Sequence, residues 1–294
     1  MIGPTERLRD LNVVPIEPRS MEAPFVFKYG GHAMTDPMAR RELLSTIHRL
    51  HEEGRPVVIV HGGGPYIRAA LDTADIRSDF HDGQRITSPE TMAQVRAALG
   101  GTANALVVNT LNAAGASAVG LTGGDGRLVT ARRRWGERMV DGRSERVDLG
   151  RVGDIDAVDP GLLRLLLGAG HIPVVASVST DAEGRDLNVN ADVFAGHIAG
   201  ALGARSFLLL TDVDGLYRDI EDPASRIAHV TLAEVDDLIA HGVISGGMLP
   251  KFEACRTALR LGAQRVRILN GTRPDLILRL TDEHADVGTL ITSA

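Results

Sequence analysis

An α/β layered fold built on a largely parallel sheet is what this 294-residue chain predicts. Three observations carry the expectation. Short apolar runs of strand length alternate with longer stretches of helical periodicity, glycine clusters stand at the ends of several of those runs, and the 44 % hydrophobic content suffices for one large or two small domains.

The elements follow in order. Thr5 to Leu11 reads as a helical turn and a half, but Pro15, Pro18 and Pro24 forbid a continuous helix, so residues 1–24 form an N-terminal extension. A strand at 25–27 runs into Lys28-Tyr29-Gly30-Gly31, and a helix is expected over 37–53. The strand at 56–60 leads directly into His61-Gly62-Gly63-Gly64. A helix over 91–111 and a strand over 116–121 precede Gly123, Gly124 and Gly126. From 127 to 154 the rhythm breaks into charges with a turn at Asp141-Gly142, which predicts a solvent-facing hairpin. A helix at 160–167 and a strand at 173–177 complete a first half, 25–185. A compositional boundary at 181–184 opens the second half, 186–294, where Leu187-Asn188-Val189-Asn190-Ala191-Asp192 begins a helix to 202, before a strand at 206–210.

Thirty-two basic against thirty-eight acidic side chains give a net charge of −6, and the scattered basic residues exclude an extended nucleic-acid face. The run Arg132-Arg133-Arg134 before Trp135 is too short for one and reads as a solvated rim. One cysteine makes no internal disulfide, and with neither an apolar leader nor an eighteen-residue apolar run the expected setting is the cytosol, away from any membrane.

The basic total hides a sharper fact: thirty of those residues are arginine, and the two lysines, Lys28 and Lys251, both lie near glycine pairs, Gly30-Gly31 and Gly246-Gly247. A compact ammonium on a flexible stem enters spaces that a planar guanidinium cannot. Glycine turns let backbone N–H groups approach an anion, and a following helix adds its own free donors. The two lysines are thus candidates to clamp a phosphoryl group, although neither a GxGxxG nor a GxxxxGK[ST] string is present. Asp192 either holds both ammonium groups in register or caps its helix. Arg85 offers a fork for a substrate carboxylate. His61 reads as a structural hydrogen-bonding residue, and Cys255 as a small buried hydrophobe.

Six segments in order resemble the acetylglutamate kinases of the amino acid kinase family: Phe27-Lys-Tyr-Gly-Gly31, Ile59-Val-His-Gly-Gly-Gly-Pro65, Gly83-Gln-Arg-Ile-Thr87, 187–192, Leu210-Thr-Asp-Val-Asp-Gly215 and Ser245-Gly-Gly-Met-Leu-Pro-Lys251. The resemblance spans 25–291. It implies a three-layer αβα sandwich around an open, mainly parallel eight-stranded sheet, and ATP-dependent phosphorylation of the side-chain carboxylate of N-acetyl-L-glutamate, the second step of arginine biosynthesis. By motif, Lys28 and Lys251 stabilise the transferring group, Asp192 organises them, and Gly30 and Gly31 form the phosphate loop. Gly63, Gly64, Arg85 and Asn188 match the acceptor contacts; Thr211, Asp212, Val213, Asp214, Gly215, Leu216, Gly246 and Gly247 match the nucleotide side. The first half is then the acceptor-binding and dimerisation half, the second the nucleotide-binding half, with ATP and Mg2+ as cofactors.

Two departures stand out: His32 where asparagine is common, and Gln84 with Ser88-Pro89 around the arginine motif. An acceptor one methylene longer, acetyl- or protein-linked aminoadipate, and a non-catalytic arginine- or nucleotide-sensing relative are the alternatives. The resemblance further implies a homodimer, with a hexamer and arginine inhibition where an N-terminal helix joins dimers. Asp282 and Glu283 could offer carboxylates to that arginine.

Overall fold

A computed structural model of the chain describes residues 22–140, 142–281 and 286–293. The expected helical turn at 5–11, Pro15, Pro18, Asp141, Asp282, Glu283 and the side chain of His32 lie outside what is described.

Eight strands form the central sheet: β1 (Phe25–Tyr29), β2 (Val57–His61), β3 (Ala118–Thr122), β4 (Ile172–Ala176), β5 (Ser206–Thr211), β6 (His229–Thr231), β7 (Val266–Asn270) and β8 (Thr289–Thr292). Their order across the sheet is β6-β8-β7-β5-β1-β2-β4-β3. Six run parallel; β8 pairs antiparallel with β7, and β6 follows β8. The expected eight-stranded, mainly parallel sheet is present.

Strand alternation divides the core into two faces. Val26, Val58, Val60, Phe207 and Leu209 meet one group of helices: α5 (Gly161–Gly168), α6 (Ala191–Ala201), α7 (Leu232–Ala240) and α8 (Leu249–Arg260). Phe25, Phe27, Tyr29, Val57 and Ile59 meet the other, led by α1 (Pro37–Glu52) and α4 (Asn104–Ala113). The same alternation turns Lys28 toward α6 and α8, and His61 toward α4. In a third cluster α2 (Gly64–Thr73), which leaves the β2 glycine loop, packs on α3 (Pro89–Arg96), and α3 continues through a π-helical segment, Ala97–Ala103, into α4. The helix expected over 91–111 is therefore one long rod with a widened middle. Its start is set by Ser88, whose Oγ accepts from the Thr91 N–H at 3.1 Å, with Pro89 at the first helical position.

The charged excursion is a hairpin, Val129–Val140 with Arg143–Val158, and it reaches further than expected. With Val178–Thr180 and Asp186–Asn188 it closes into a small four-stranded barrel. Val129, Ala131 and Val152 at its base are buried in the main core, so only the outer part faces solvent. Arg132, Arg133 and Arg134 pair with Asp156, Asp148 and Asp154 across it at 3.0, 2.5 and 3.0 Å. Trp135 lies between the guanidinium groups of Arg133 and Arg146, 4.5 and 4.2 Å from its ring centre. The arginine run is a self-neutralised rim. Among the described residues no helix is long and apolar enough to cross a membrane.

Candidate active site

The order of strands reverses beside β1: β2, β4 and β3 extend to one side, β5 and β7 to the other. In open α/β sheets the crevice outside the carboxyl ends at such a reversal is where ligands bind. Here those ends carry Gly30-Gly31 after β1, Gly62-Gly63-Gly64 after β2 and residues 212–215 after β5.

Lys28 is the last residue of its β1 face to turn toward α6, and its Nζ stands 2.9 Å from Asp192 Oδ1. Lys251, in the first turn of α8, donates to Asp192 Oδ2 at 3.0 Å. Asp192 does not cap its helix. That position belongs to Asn190, whose Oδ1 accepts from the N–H groups of Asp192 and Val193 at 2.9 and 3.2 Å. The carboxylate is thereby free to face both ammonium groups. Burial opposes its ionisation, yet Lys28 and Lys251 hold it below the ordinary carboxylate range. Two cations on one anion leave a net positive, partly exposed pair, suited to a further anion.

Helix packing brings the three together. A Cβ on Gly196 of α6 would lie 2.5 Å from the Ala254 carbonyl oxygen of α8, so bare backbone sets how near the helices approach. At the glycine pair after β1, Lys28 lies over Gly30, whose notional Cβ would be 3.2 Å from Nζ, and Gly31 takes φ +71° beside the Asp212 carboxylate.

A second cluster lies across the β2 loop. Gly63 and Gly64 start α2, whose first N–H groups have no intrahelical partners. Arg85 stacks on Phe80 at 4.6 Å and donates to Ser78 Oγ at 2.5 Å. Burial, then the neighbouring Arg68, lowers its pKa. Among the described residues no acidic side chain pairs with it. Asn188 donates to Thr87 Oγ1 at 3.3 Å, and Thr87 to the Arg85 carbonyl at 2.7 Å, which ties Asn188 to the arginine segment. Neither Arg85 nor Asn188 touches the lysine pair. The link is Gly62, where a Cβ would sit 3.0 Å from that of Ala191, next to Asp192.

The remaining segment is built by β5, β7 and β8. The Thr211 hydroxyl donates to the Val213 carbonyl at 3.0 Å, Asp214 accepts from Asn270 at 2.8 Å, and the Leu216 N–H donates to Thr289 Oγ1 at 2.8 Å. Gly215, at φ +149°, lies against that threonine: a Cβ would be 2.6 Å away. Gly246, at φ +53°, and Gly247 form the single turn that starts α8 just before Lys251. Cys255 is fully buried and its thiol is pushed up by that burial, the small hydrophobe expected. Sequence reasoning missed the capping role of Asn190, although an asparagine immediately before a helix with an acid in its first turn is a signal for it; it assigned Thr87, the last residue of the arginine motif, no role of its own, because the bond to Asn188 is made by the fold.

Residues 23–270 match the amino acid kinase family. The chain is 39 % identical over 267 residues to an acetylglutamate kinase of Methanococcus maripaludis (strain C5), covering 91 % of both chains, and 38 % identical over 282 residues to that of Methanosarcina mazei, covering 96 % of this chain and 97 % of the other. The crystal structure of smu.665 from Streptococcus mutans UA159 superposes with a TM-score of 0.71 at 27 % identity, over 92 % of this chain and 98 % of that one. A mainly parallel sheet with its two lysines converging on one buried aspartate, and relatives matched along nine-tenths of the chain, lead to one conclusion: the protein belongs to the amino acid kinase family and is closely related to the acetylglutamate kinases.

Proposed function

We infer that the chain transfers the γ-phosphoryl group of ATP to the side-chain carboxylate of N-acetyl-L-glutamate, giving N-acetyl-L-glutamyl 5-phosphate and ADP in the second step of arginine biosynthesis. Its two lysines paired on one buried carboxylate at the end of β1 are the observation that carries this reading. A carboxylate acceptor ionises near pH 4.3, so at neutral pH no general base is required. One acceptor oxygen bonds to the γ-phosphorus as the bond to the ADP oxygen breaks. The obstacle is bringing one anion onto another, and positive groups fixed in advance at the reacting centre lower it.

Lys28 and Lys251 face the transferring group and Asp192 keeps them in register. Gly30 and Gly31 give the phosphates an approach unhindered by side chains. Gly63 and Gly64 offer the α2 N-terminus to the acceptor, Arg85 takes its α-carboxylate, and Asn188 supports it. Residues 211–216 with Gly246 and Gly247 receive the nucleotide. The acceptor is assigned to 25–185, with Asn188 reaching across, and the nucleotide to 186–294. Among the described residues no three acidic, histidine or cysteine side chains cluster into a metal cage. Mg2+ in phosphotransferases uses one or two carboxylates together with substrate phosphates and neutralises phosphate charge when bound. Asp212, beside Gly31, is our candidate ligand. The working assembly is a homodimer.

Hydroxylamine traps acyl phosphates. Incubation with MgATP should give hydroxamate that requires acetylglutamate and matches ADP release; no hydroxamate, or faster formation from the aminoadipate analogue, would overturn the assignment.

A further inference from the structure

Two buried side chains that phosphoryl transfer does not itself use lie directly beneath the loop offered to the acceptor. His61 ends β2 on the α4 side, fully buried, with Nδ1 2.8 Å from the Gly62 carbonyl oxygen and Nε2 3.0 Å from Asn104 Nδ2. The same amide nitrogen donates to the Val174 carbonyl at 3.0 Å and points to that of Leu121 at 3.4 Å. An amide oxygen could not face those carbonyls, so the NH2 group is turned toward His61. Nε2 must then accept, the ring proton resides on Nδ1, and Nδ1–H donates to Gly62. The fold makes room for this chain of bonds. Asn104 is the first residue beyond the π-helical segment, and Gly120 lies mid-strand in β3 where a Cβ would come within 2.0 Å of Asn104 Oδ1.

In a trans peptide the carbonyl and the following N–H point in opposite directions. Tying the Gly62 carbonyl inward to His61 therefore turns the Gly63 N–H outward, at the start of α2. Three consecutive glycines would otherwise allow that plane to rotate at little cost. We propose that His61, held in its Nδ1–H form by Asn104, is a positioning residue that aims the Gly63 N–H at the acceptor and the transferring phosphoryl group. The inference rests on the phosphotransfer function above. Burial, partly offset by the bond to Gly62, brings the His61 pKa down to about 4, so the ring stays neutral where the enzyme works.

Two substitutions divide the ring. In His61→Asn the amide nitrogen occupies the Nδ1 position and still donates to Gly62; in His61→Gln the amide oxygen reaches Asn104, and no donor faces Gly62. His61→Asn should keep kcat within a few-fold of the parent, whereas His61→Gln should lose about 10²-fold, the scale of a small misplacement in a reacting site. The KM for ATP should be unchanged in both. Equal kcat values for the two folded variants would overturn the proposal, because a purely structural histidine predicts no such split. Should either variant fail to fold, 15N spectra of histidine-labelled parent protein decide: a ring proton on Nδ1 supports the device and one on Nε2 overturns it. A parent chain that forms no hydroxamate overturns the phosphotransfer function, and the aiming role with it, independently of the ring spectrum.

Discussion

Lys28 and Lys251 converge on a buried carboxylate, so removing either changes the charge of the reacting site more than the packing around it. Lys28→Ala and Lys251→Ala should each lower kcat by about 10²- to 10³-fold, the range for one lost stabilising donor. Their thermal transitions should remain cooperative; near-normal hydroxamate formation by a folded variant would remove its assigned role. Lys28→Arg should not rescue, because a broad planar fork does not place its charge as a compact ammonium does beside Asp192. Arg85→Ala should chiefly raise the KM for acetylglutamate, since the partner proposed for it is the unreacting α-carboxylate. A raised KM for ATP alone would put Arg85 on the nucleotide side. His61 supplies the pH dependence. Its folded pKa, about 4, lies below the ordinary 6.5, so between these values the unfolded chain binds the extra proton, and acidification through that window costs roughly 3 kcal/mol of stability. Asp192 acts lower: its depressed pKa contributes stability that is present above about pH 3.8 and is lost as pH falls through the folded value. Urea midpoints should decline from pH 6.5 to 4 in the parent and far less in His61→Asn; parallel curves would contradict the buried neutral ring. The lysine pair was legible in the sequence because the sequence holds no other lysine. Arg85 stood out by its fork and by the family motif, Asn188 only through its motif; the bonds of Thr87 to Asn188 and of Asn104 to His61 were not legible, since the fold brings those partners from distant positions.

The helices α6 and α8 hold Asp192 and Lys251 together through a contact that tolerates no added carbon. Gly196→Ala would drive a Cβ against the Ala254 carbonyl oxygen, backbone that cannot swing aside. It should cost about 1 to 3 kcal/mol, the usual scale of overpacking, and should lower turnover by drawing Lys251 from its partner. An unchanged melting temperature with unchanged kcat would mean that the helices part freely. Element periodicity was legible where a strand is apolar on both faces, as in β1, β2 and β5, or where a helix carries a broad apolar stripe, as in α1. β6 and β8 were not: each is three or four residues long, too short for alternation to register. Nor does composition mark the π-helical segment, whose alanines and glycines suit an ordinary helix as well.

At the scale of the molecule, the proposed division into acceptor and nucleotide halves crosses one uninterrupted sheet, joined where β1 pairs with β5. Assembly beyond one chain is open to light scattering. The intact protein and a chain beginning at Glu22 should both have the mass of a dimer, and a hexamer that dissociates on truncation would contradict this. The place of β1 has a further consequence, for folding. One of its edges pairs with β2, some thirty residues away, but the other waits for β5, about 180 residues later. Such long-range closure is slow, and until it occurs the centre of the future sheet is an open, apolar edge able to pair with another nascent chain. The two halves proposed to hold acceptor and nucleotide cannot be produced separately: the first, made alone, would keep that edge exposed permanently and aggregate through it.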